Sequence, residues 1–158
     1  FKKHGLIGNF MVSFSVGMTF VFGGLSVDLP FNKVVLFFAV IAALVDLGEE
    51  IAADSMDVKG DKLIDSKSIA IKHGKEKALR VSAFIFVLVI VLSLIPFLLQ
   101  WFNKIYLIPI AVMDIFIGYS TFRLVKSNNE EGRRYIRLLY LGATFGLVIF
   151  LIMRLMGL

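Results

Sequence analysis

Residues 31–62 read FNKVVLFFAVIAALVDLGEEIAADSMDVKGDK, and this run decides the fold. Its first part, to about Ile51, is mainly apolar and reaches the roughly 20 residues that cross about 30 Å of hydrocarbon. Its second part is crowded with acids and then with lysines, as where a helix leaves the membrane. Working outward, four further windows of similar length and apolarity lie at about 5–26, 79–100, 105–123 and 137–157. Composition agrees: of 158 residues 58% are hydrophobic and 18% charged, with mean hydropathy +0.86. A soluble domain has about 45–50% apolar and about 25% charged residues. The alternation of a membrane barrel is absent, so the spans must satisfy their backbone groups as helices. The sequence therefore predicts an all-α integral membrane protein, multi-pass in the cell membrane, with five transmembrane helices in one domain over 1–158. Pro30 opens the second helix, and Pro96 and Pro109 fall near helix ends, where a missing donor is tolerated.

The remaining composition narrows the function. The absence of cysteine excludes disulfide scaffolds, thiolate catalysis and Cys-ligated metal centres. A net charge of +5 and a pI near 9.6 raise the question of nucleic acid. The basic residues lie between apolar segments, where membrane topology explains them better, and no nucleic-acid partner is expected. Alternate crossing puts Lys and Arg at 2, 3, 59, 62, 67, 72, 75, 77, 80, 123, 126, 133, 134 and 137 on one side, leaving only Lys33, Lys104 and Arg154 opposite. By the positive-inside rule the crowded side is cytoplasmic, and with it the polar loop 52–78. Trp101 and Tyr106 fall at the opposite boundary as interfacial anchors. The first window begins after Lys2, Lys3 and His4, but it is too long for a signal peptide and no cleavage site follows.

Asp46, Glu50, Asp54, Asp57 and Asp61 are spaced 4, 4, 3 and 4. On one continuous helix they would share a ridge within roughly 80°, with neighbours about 5–6 Å apart. Like charges at that spacing repel, and at a helix C-terminus the macrodipole disfavours them further. A cation is implied. Lys59, Lys62 and Lys67 supply it in one reading, as a structural ion network. In the other it is a hard divalent metal: Mg²⁺ takes one or two carboxylates and keeps positions for water and phosphate. Lys59, Lys62, Lys67, Lys72, Lys75 and Lys77, just beyond the acids, suit the phosphate oxygens the metal does not reach.

The string Glu50-Ile51-Ala52-Ala53-Asp54-Ser55-Met56-Asp57-Val58-Lys59-Gly60-Asp61-Lys62, followed by Lys67-Ser68-Ile69 and Lys72-His73-Gly74, resembles the second aspartate-rich motif of the UbiA-type intramembrane prenyltransferases. Within that superfamily it is most similar to the archaeal digeranylgeranylglyceryl phosphate synthases. The runs Gly5 to Gly24 and Ile108 to Phe116 resemble the same branch. The resemblance implies a nine-helix bundle of which this chain is the C-terminal five-helix part. Its first motif, of Asn-Asp-x-x-Asp type, is not in this sequence, so half the metal site and the activity would depend on N-terminal helices of the same enzyme. It also implies Mg²⁺-dependent transfer of a geranylgeranyl group from geranylgeranyl diphosphate to the hydroxyl of geranylgeranylglyceryl phosphate, in archaeal ether-lipid synthesis. The partners are then an isoprenyl diphosphate donor, a lipid-phosphate acceptor and membrane lipid, at a site facing the cytoplasm. Carried over by residue, Asp57 and Asp61 form the catalytic pair, Asp54, Asp57 and Asp61 bind metal, and Lys62 and Lys67 contact diphosphate or phosphate. Relatives often carry a basic residue at Ala53, a glycine at Asp65 and a proline at Ala70, which bears on the path of the loop.

Other polar residues have two readings each. Asp114 lies mid-helix in the fourth span, where a carboxylate is either functional or hydrogen-bonded to a neighbouring helix. Asn9, Ser13 and Gly17 recur every four residues and mark either helix packing or the lining of a substrate cavity. His73 reads as a loop residue, and Arg123, Arg133, Arg134 and Arg137 as surface anchors or acceptor-phosphate contacts. A CDP-alcohol phosphotransferase needs an Asp-Gly dipeptide, which does not occur. A cation transporter or membrane-anchoring subunit, and UbiA-type transfer to an aromatic or chlorophyll-like acceptor, are the competing functions.

Overall fold

A computed structural model of the chain describes residues 4–157. Lys2 and Lys3, part of the charge asymmetry, lie outside the described residues. Every regular element described is helical. The helices are α1 (Leu6–Leu25), α2 (Lys33–Met56), α3 (Val58–Leu63), α4 (Ile69–His73), α5 (Lys75–Ser93), α6 (Ile95–Leu98), α7 (Leu107–Val125) and α8 (Asn129–Leu155), with a 3-10 turn at Lys104–Tyr106. Two compact units meet within α5, one ending at Ile85 and the other starting at Phe86.

In the first unit α1 and α2 form an antiparallel pair. Asn32 caps α2, its side chain accepting from the Val34 N–H at 2.9 Å, which satisfies one of the orphan donors of a helix start. Close approach depends on Gly17, where a Cβ would lie 2.7 Å from the Ala39 carbonyl oxygen. Small residues at such a crossing let two backbones approach in the absence of a hydrophobic driving force between helices. Beyond α2, Ile51, Ala70, Ala78 and Ile85 form a core, with Leu44, Leu47, Val58, Ile69 and Val81 packed around it. The buried Ser82 hydroxyl donates to the Gly48 carbonyl at 2.7 Å, tying α5 to α2. The segment 52–78, read from the sequence as a loop, thus carries the end of α2, all of α3 and α4 and the start of α5.

In the second unit α5 stops at Ser93 and Pro96 sits in the first turn of α6. Pro109 falls in the first turn of α7, where its missing N–H has no helical partner to lose. Gly142 and Gly146 of α8 face Phe116, Met113 and Pro109 of α7; a Cβ on Gly146 would come within 2.8 Å of the Met113 Cβ. Tyr106 departs from expectation. It is 3% exposed, its ring 4.8 Å from that of Phe150 and 6.0 Å from that of Phe102. It is a core residue and not an interfacial anchor, because the 3-10 turn tucks it under α8.

Among the described residues four helical segments are long and apolar enough to cross a membrane, namely Leu6–Leu25, Lys75–Leu98, Lys104–Val125 and Asn129–Leu155. The expected count was five. The missing one is α2, long enough at 24 residues but carrying Asp46, Glu49 and Glu50 within the stretch that would have to cross. Acids at those depths are costly unless they find partners, and Asp46 finds one in Ser13 of α1.

Candidate functional site

Three of the five acids of the sequence motif lie on α2, and the ridge ends there. Met56 is the last residue of α2, and Asp57, at φ −117° and ψ 30°, breaks the helix. Its backbone N–H still bonds the Ala53 and Asp54 carbonyls at 3.1 and 3.3 Å, while its own carbonyl accepts from the Asp61 N–H at 2.9 Å to open α3. A continuous acidic ridge is therefore corrected to two pieces. Asp57 precedes α3 and Asp61 lies in its first turn, the end of a helix at which negative charge is favoured.

The upper acids are met by α1. Asn9 donates through Nδ2 to Asp54 Oδ2 at 2.9 Å, with both residues 4% exposed. One turn along, the Ser13 hydroxyl donates to Asp46 Oδ2 at 2.7 Å. Asn9, Ser13 and Gly17 thus form the face of α1 that packs on α2, with the first two donating to its acids. Asp46 and Asp54 are thus met by protein donors, so their crowding alone does not require a bound ion. Among the described residues no group of three His, Cys, Asp or Glu side chains stands in an arrangement that would hold a metal ion.

Asp61 is fully buried, Asp57 half-buried, and Lys59, Lys62 and Lys67 are exposed to solvent. Gly60 makes room for the Asp57 carboxylate: a Cβ there would lie 2.7 and 2.9 Å from its two oxygens. The path to Lys67 is held at both ends. The Ser66 N–H bonds the Asp61 carbonyl at 3.0 Å, and Gly5, at φ 57°, packs its α-carbon against the Lys67 carbonyl, so that a Cβ there would overlap it. Between them Asp65 adopts φ 51°, the left-handed conformation that glycine takes freely and Asp tolerates better than most residues. Ala70 lies inside α4, which Ser68 caps by accepting from the Ile71 N–H at 3.3 Å.

One end of the first unit therefore gathers Asn9, Asp54, Asp57, Asp61 and the Lys67 loop. The role of Gly5 escaped the sequence reading, because a glycine needed for its positive φ and close approach looks in sequence like any helix-start glycine. Asp114 belongs to the second unit. Its Oδ2 accepts from the Ser93 hydroxyl at 2.8 Å, and its buried Oδ1 has no hydrogen-bond partner among the described residues. His73 ends α4, exposed, and Arg133, Arg134 and Arg137 are exposed along α8. Arg123 donates through Nε to the Tyr135 hydroxyl at 3.0 Å.

The chain is 37% identical over 131 residues to a digeranylgeranylglyceryl phosphate synthase of Methanocaldococcus jannaschii, an alignment covering 83% of this chain and 45% of that one. It is 33% identical to that of Methanosphaera stadtmanae, covering 85% and 49%, and 31% identical to that of Archaeoglobus fulgidus, covering 93% and 52%. The chain thus spans about half the length of the curated relatives it matches. A solved structure from work on digeranylgeranylglyceryl phosphate synthase in membranes superimposes with a TM-score of 0.84 at 34% identity, over 96% of this chain and 53% of that one. The model of the UbiA prenyltransferase family matches residues 1–151, and the chain belongs to that family.

Proposed function

We propose that this chain carries one half of a prenyltransferase site that moves a geranylgeranyl group from geranylgeranyl diphosphate to the free hydroxyl of geranylgeranylglyceryl phosphate. The observation that carries the reading is the polar end of the first unit, where Asp54, Asp57 and Asp61 adjoin the exposed Lys62 and Lys67. Membership of the family and the names of the relatives support it. In the reaction the allylic C–O bond of the donor breaks with its electron pair leaving on diphosphate, and the acceptor oxygen bonds the allylic carbon and releases its proton.

The donor set fits Mg²⁺: hard carboxylate oxygens, room left by Gly60 for the Asp57 carboxylate, and adjacent cations for the phosphate oxygens. One or two carboxylates suffice for Mg²⁺ when substrate phosphate completes the shell. Asp57 and Asp61 would hold it, with Asp54 behind them fixed by Asn9. When bound, the ion neutralises charge developing on the leaving diphosphate. Lys62 and Lys67 bind the same oxygens, and apolar helix faces hold the isoprenoid chain. A first aspartate motif outside these 158 residues supplies the rest of the metal site, and the site faces the cytoplasm, where the Lys and Arg excess lies.

The test is an acceptor screen with radiolabelled geranylgeranyl diphosphate on the complete protein. Label should pass to geranylgeranylglyceryl phosphate only with Mg²⁺, and Asp57→Ala or Asp61→Ala should abolish transfer while membrane insertion persists. Normal transfer by either variant removes the site assignment. Label passing instead to an aromatic acceptor replaces the substrate.

A further inference from the structure

The far end of α7 and the start of α8 enclose a cavity of about 200 Å³ lined by Phe122, Arg123, Lys126, Ser127, Glu131 and Tyr135. None of these six enters the prenyl-transfer site proposed above. We propose that this cavity binds the phosphate headgroup of a membrane phospholipid, whose chains lie along α7.

The cations are held in place. An arginine at a helix end that only sets topology extends its guanidinium into the aqueous layer. Arg123 instead folds back, Nε donating to the Tyr135 hydroxyl at 3.0 Å with the guanidinium carbon 5.4 Å from the centre of that ring. The Tyr135 ring meets Tyr119 edge-on at 6.4 Å, which fixes it in turn. This leaves the terminal guanidinium nitrogens without a protein hydrogen bond among the described residues. Planar, paired N–H donors of that kind match phosphate oxygens. Lys126 lies over the face of Phe122, its Nζ 4.4 Å from the ring centre, so a second cation is placed at the same mouth. The Tyr135 hydroxyl accepts from Arg123 and keeps its own hydrogen for a third contact. Glu131, the single acid of the lining, offsets one of the two positive charges.

The apolar surroundings select a lipid over a free anion. Ile115, Tyr119 and Phe122, spaced 4 and 3 along α7, are 69%, 53% and 61% exposed. They form one outward stripe on a segment apolar enough to cross a membrane, and the stripe ends at the cavity mouth. An acyl or isoprenyl chain on that stripe brings its phosphate to Arg123 and Lys126 at headgroup depth.

Native mass spectrometry of the complete protein, purified in mild detergent and supplied with dioleoyl phosphatidic acid, tests this. Retained adducts should greatly exceed those with dioleoylglycerol, which has the same chains and no phosphate. The double variant Arg123→Gln, Lys126→Gln should retain about thirtyfold less, as expected for two juxtamembrane cations, and Glu131→Gln should retain more than the parent. Tyr135→Phe keeps the ring and frees the arginine, and should give an intermediate loss. All four residues are at least partly exposed, so an unchanged melting temperature confirms that the variants fold. Equal retention by the double variant overturns the proposal. So does equal retention of dioleoylglycerol, which would leave only the apolar stripe, or complete displacement by millimolar inorganic phosphate, which would make the cavity a site for a free anion.

Discussion

Replacing Gly5 by alanine separates backbone strain from the positioning of the Lys67 loop, because Gly74 provides a matched control. Both glycines hold positive φ, 57° and 88°, and an L-residue forced into such a conformation costs about 1–3 kcal/mol. A Cβ on Gly74 meets nothing within 4 Å, whereas one on Gly5 overlaps the Lys67 carbonyl and approaches the Ser68 nitrogen at 2.8 Å. Overpacking of a fixed backbone adds about 1–3 kcal/mol. Gly74→Ala should therefore cost about 1–3 kcal/mol, and Gly5→Ala about 2–6 kcal/mol unless the Lys67 loop moves away. If it moves, the stability loss shrinks toward that of Gly74→Ala, and Lys67 loses the position proposed for its diphosphate contact. The assay is paired: unfolding of the complete protein in mixed micelles, and KM for geranylgeranyl diphosphate. The expected result is a larger stability loss for Gly5→Ala, a raised KM, or both, with KM unchanged in Gly74→Ala. Identical stability and identical KM for the two variants would refute the coupling of the α1 start to the Lys67 loop.

Other consequences are equally direct. A double-mutant cycle of Asn9→Ala with Asp54→Ala, read by unfolding in micelles, should give a coupling of about 0.6–1.7 kcal/mol, the range of side-chain hydrogen bonds between membrane helices; additive losses would remove the bond. Gly142→Leu should weaken the second unit by more than about 2 kcal/mol through overlap with Phe116, while Gly23→Leu, where a Cβ meets nothing within 4 Å, should cost less than about 1 kcal/mol; equal losses would contradict close α7–α8 packing. Single cysteines at positions 62–75 should react with an impermeant maleimide only from the cytoplasmic side, and labelling from outside would invert the topology.

The spans were legible in the sequence because hydropathy over about 20 residues reports a single physical cost, that of placing each side chain in hydrocarbon. The same averaging misread Tyr106. A tyrosine near a boundary scores as an interfacial anchor whether it faces headgroups or, as here, turns under Phe150. Hydropathy also gives Asp46 and Glu50 a fixed penalty, whereas the hydroxyl of Ser13 on the facing helix changes that penalty for Asp46. Partners 33 and 45 residues away leave no local periodicity to read. What the sequence did carry was their receptive side, since Asn9, Ser13 and Gly17 recur every four residues on the face of α1 that meets α2.

The acids of the motif are held by other forces than their spacing suggests. Spacing suggested one ridge at a helix C-terminus, repelled by the backbone dipole and demanding a cation. In the fold, the break at Asp57 puts Asp57 and Asp61 at the start of α3, and Asn9 and Ser13 donate to Asp54 and Asp46. Asp46 and Asp54 therefore do not need an ion for stability, whereas Asp57 and Asp61 are the two left for the proposed metal. A site whose carboxylates require a permanently bound metal would close around it as a structural centre. If the proposed site takes up Mg²⁺ with each diphosphate and releases both, an acid already fixed behind the ligands, as Asp54 is by Asn9, keeps the site in place between turnovers. The buried Asn9–Asp54 bond is then the discriminating element. If it serves catalysis, Asn9→Ala should raise the Mg²⁺ concentration needed for half-maximal transfer, with the KM for acceptor unchanged. A variant that loses stability but keeps its Mg²⁺ dependence would make the bond a packing contact alone.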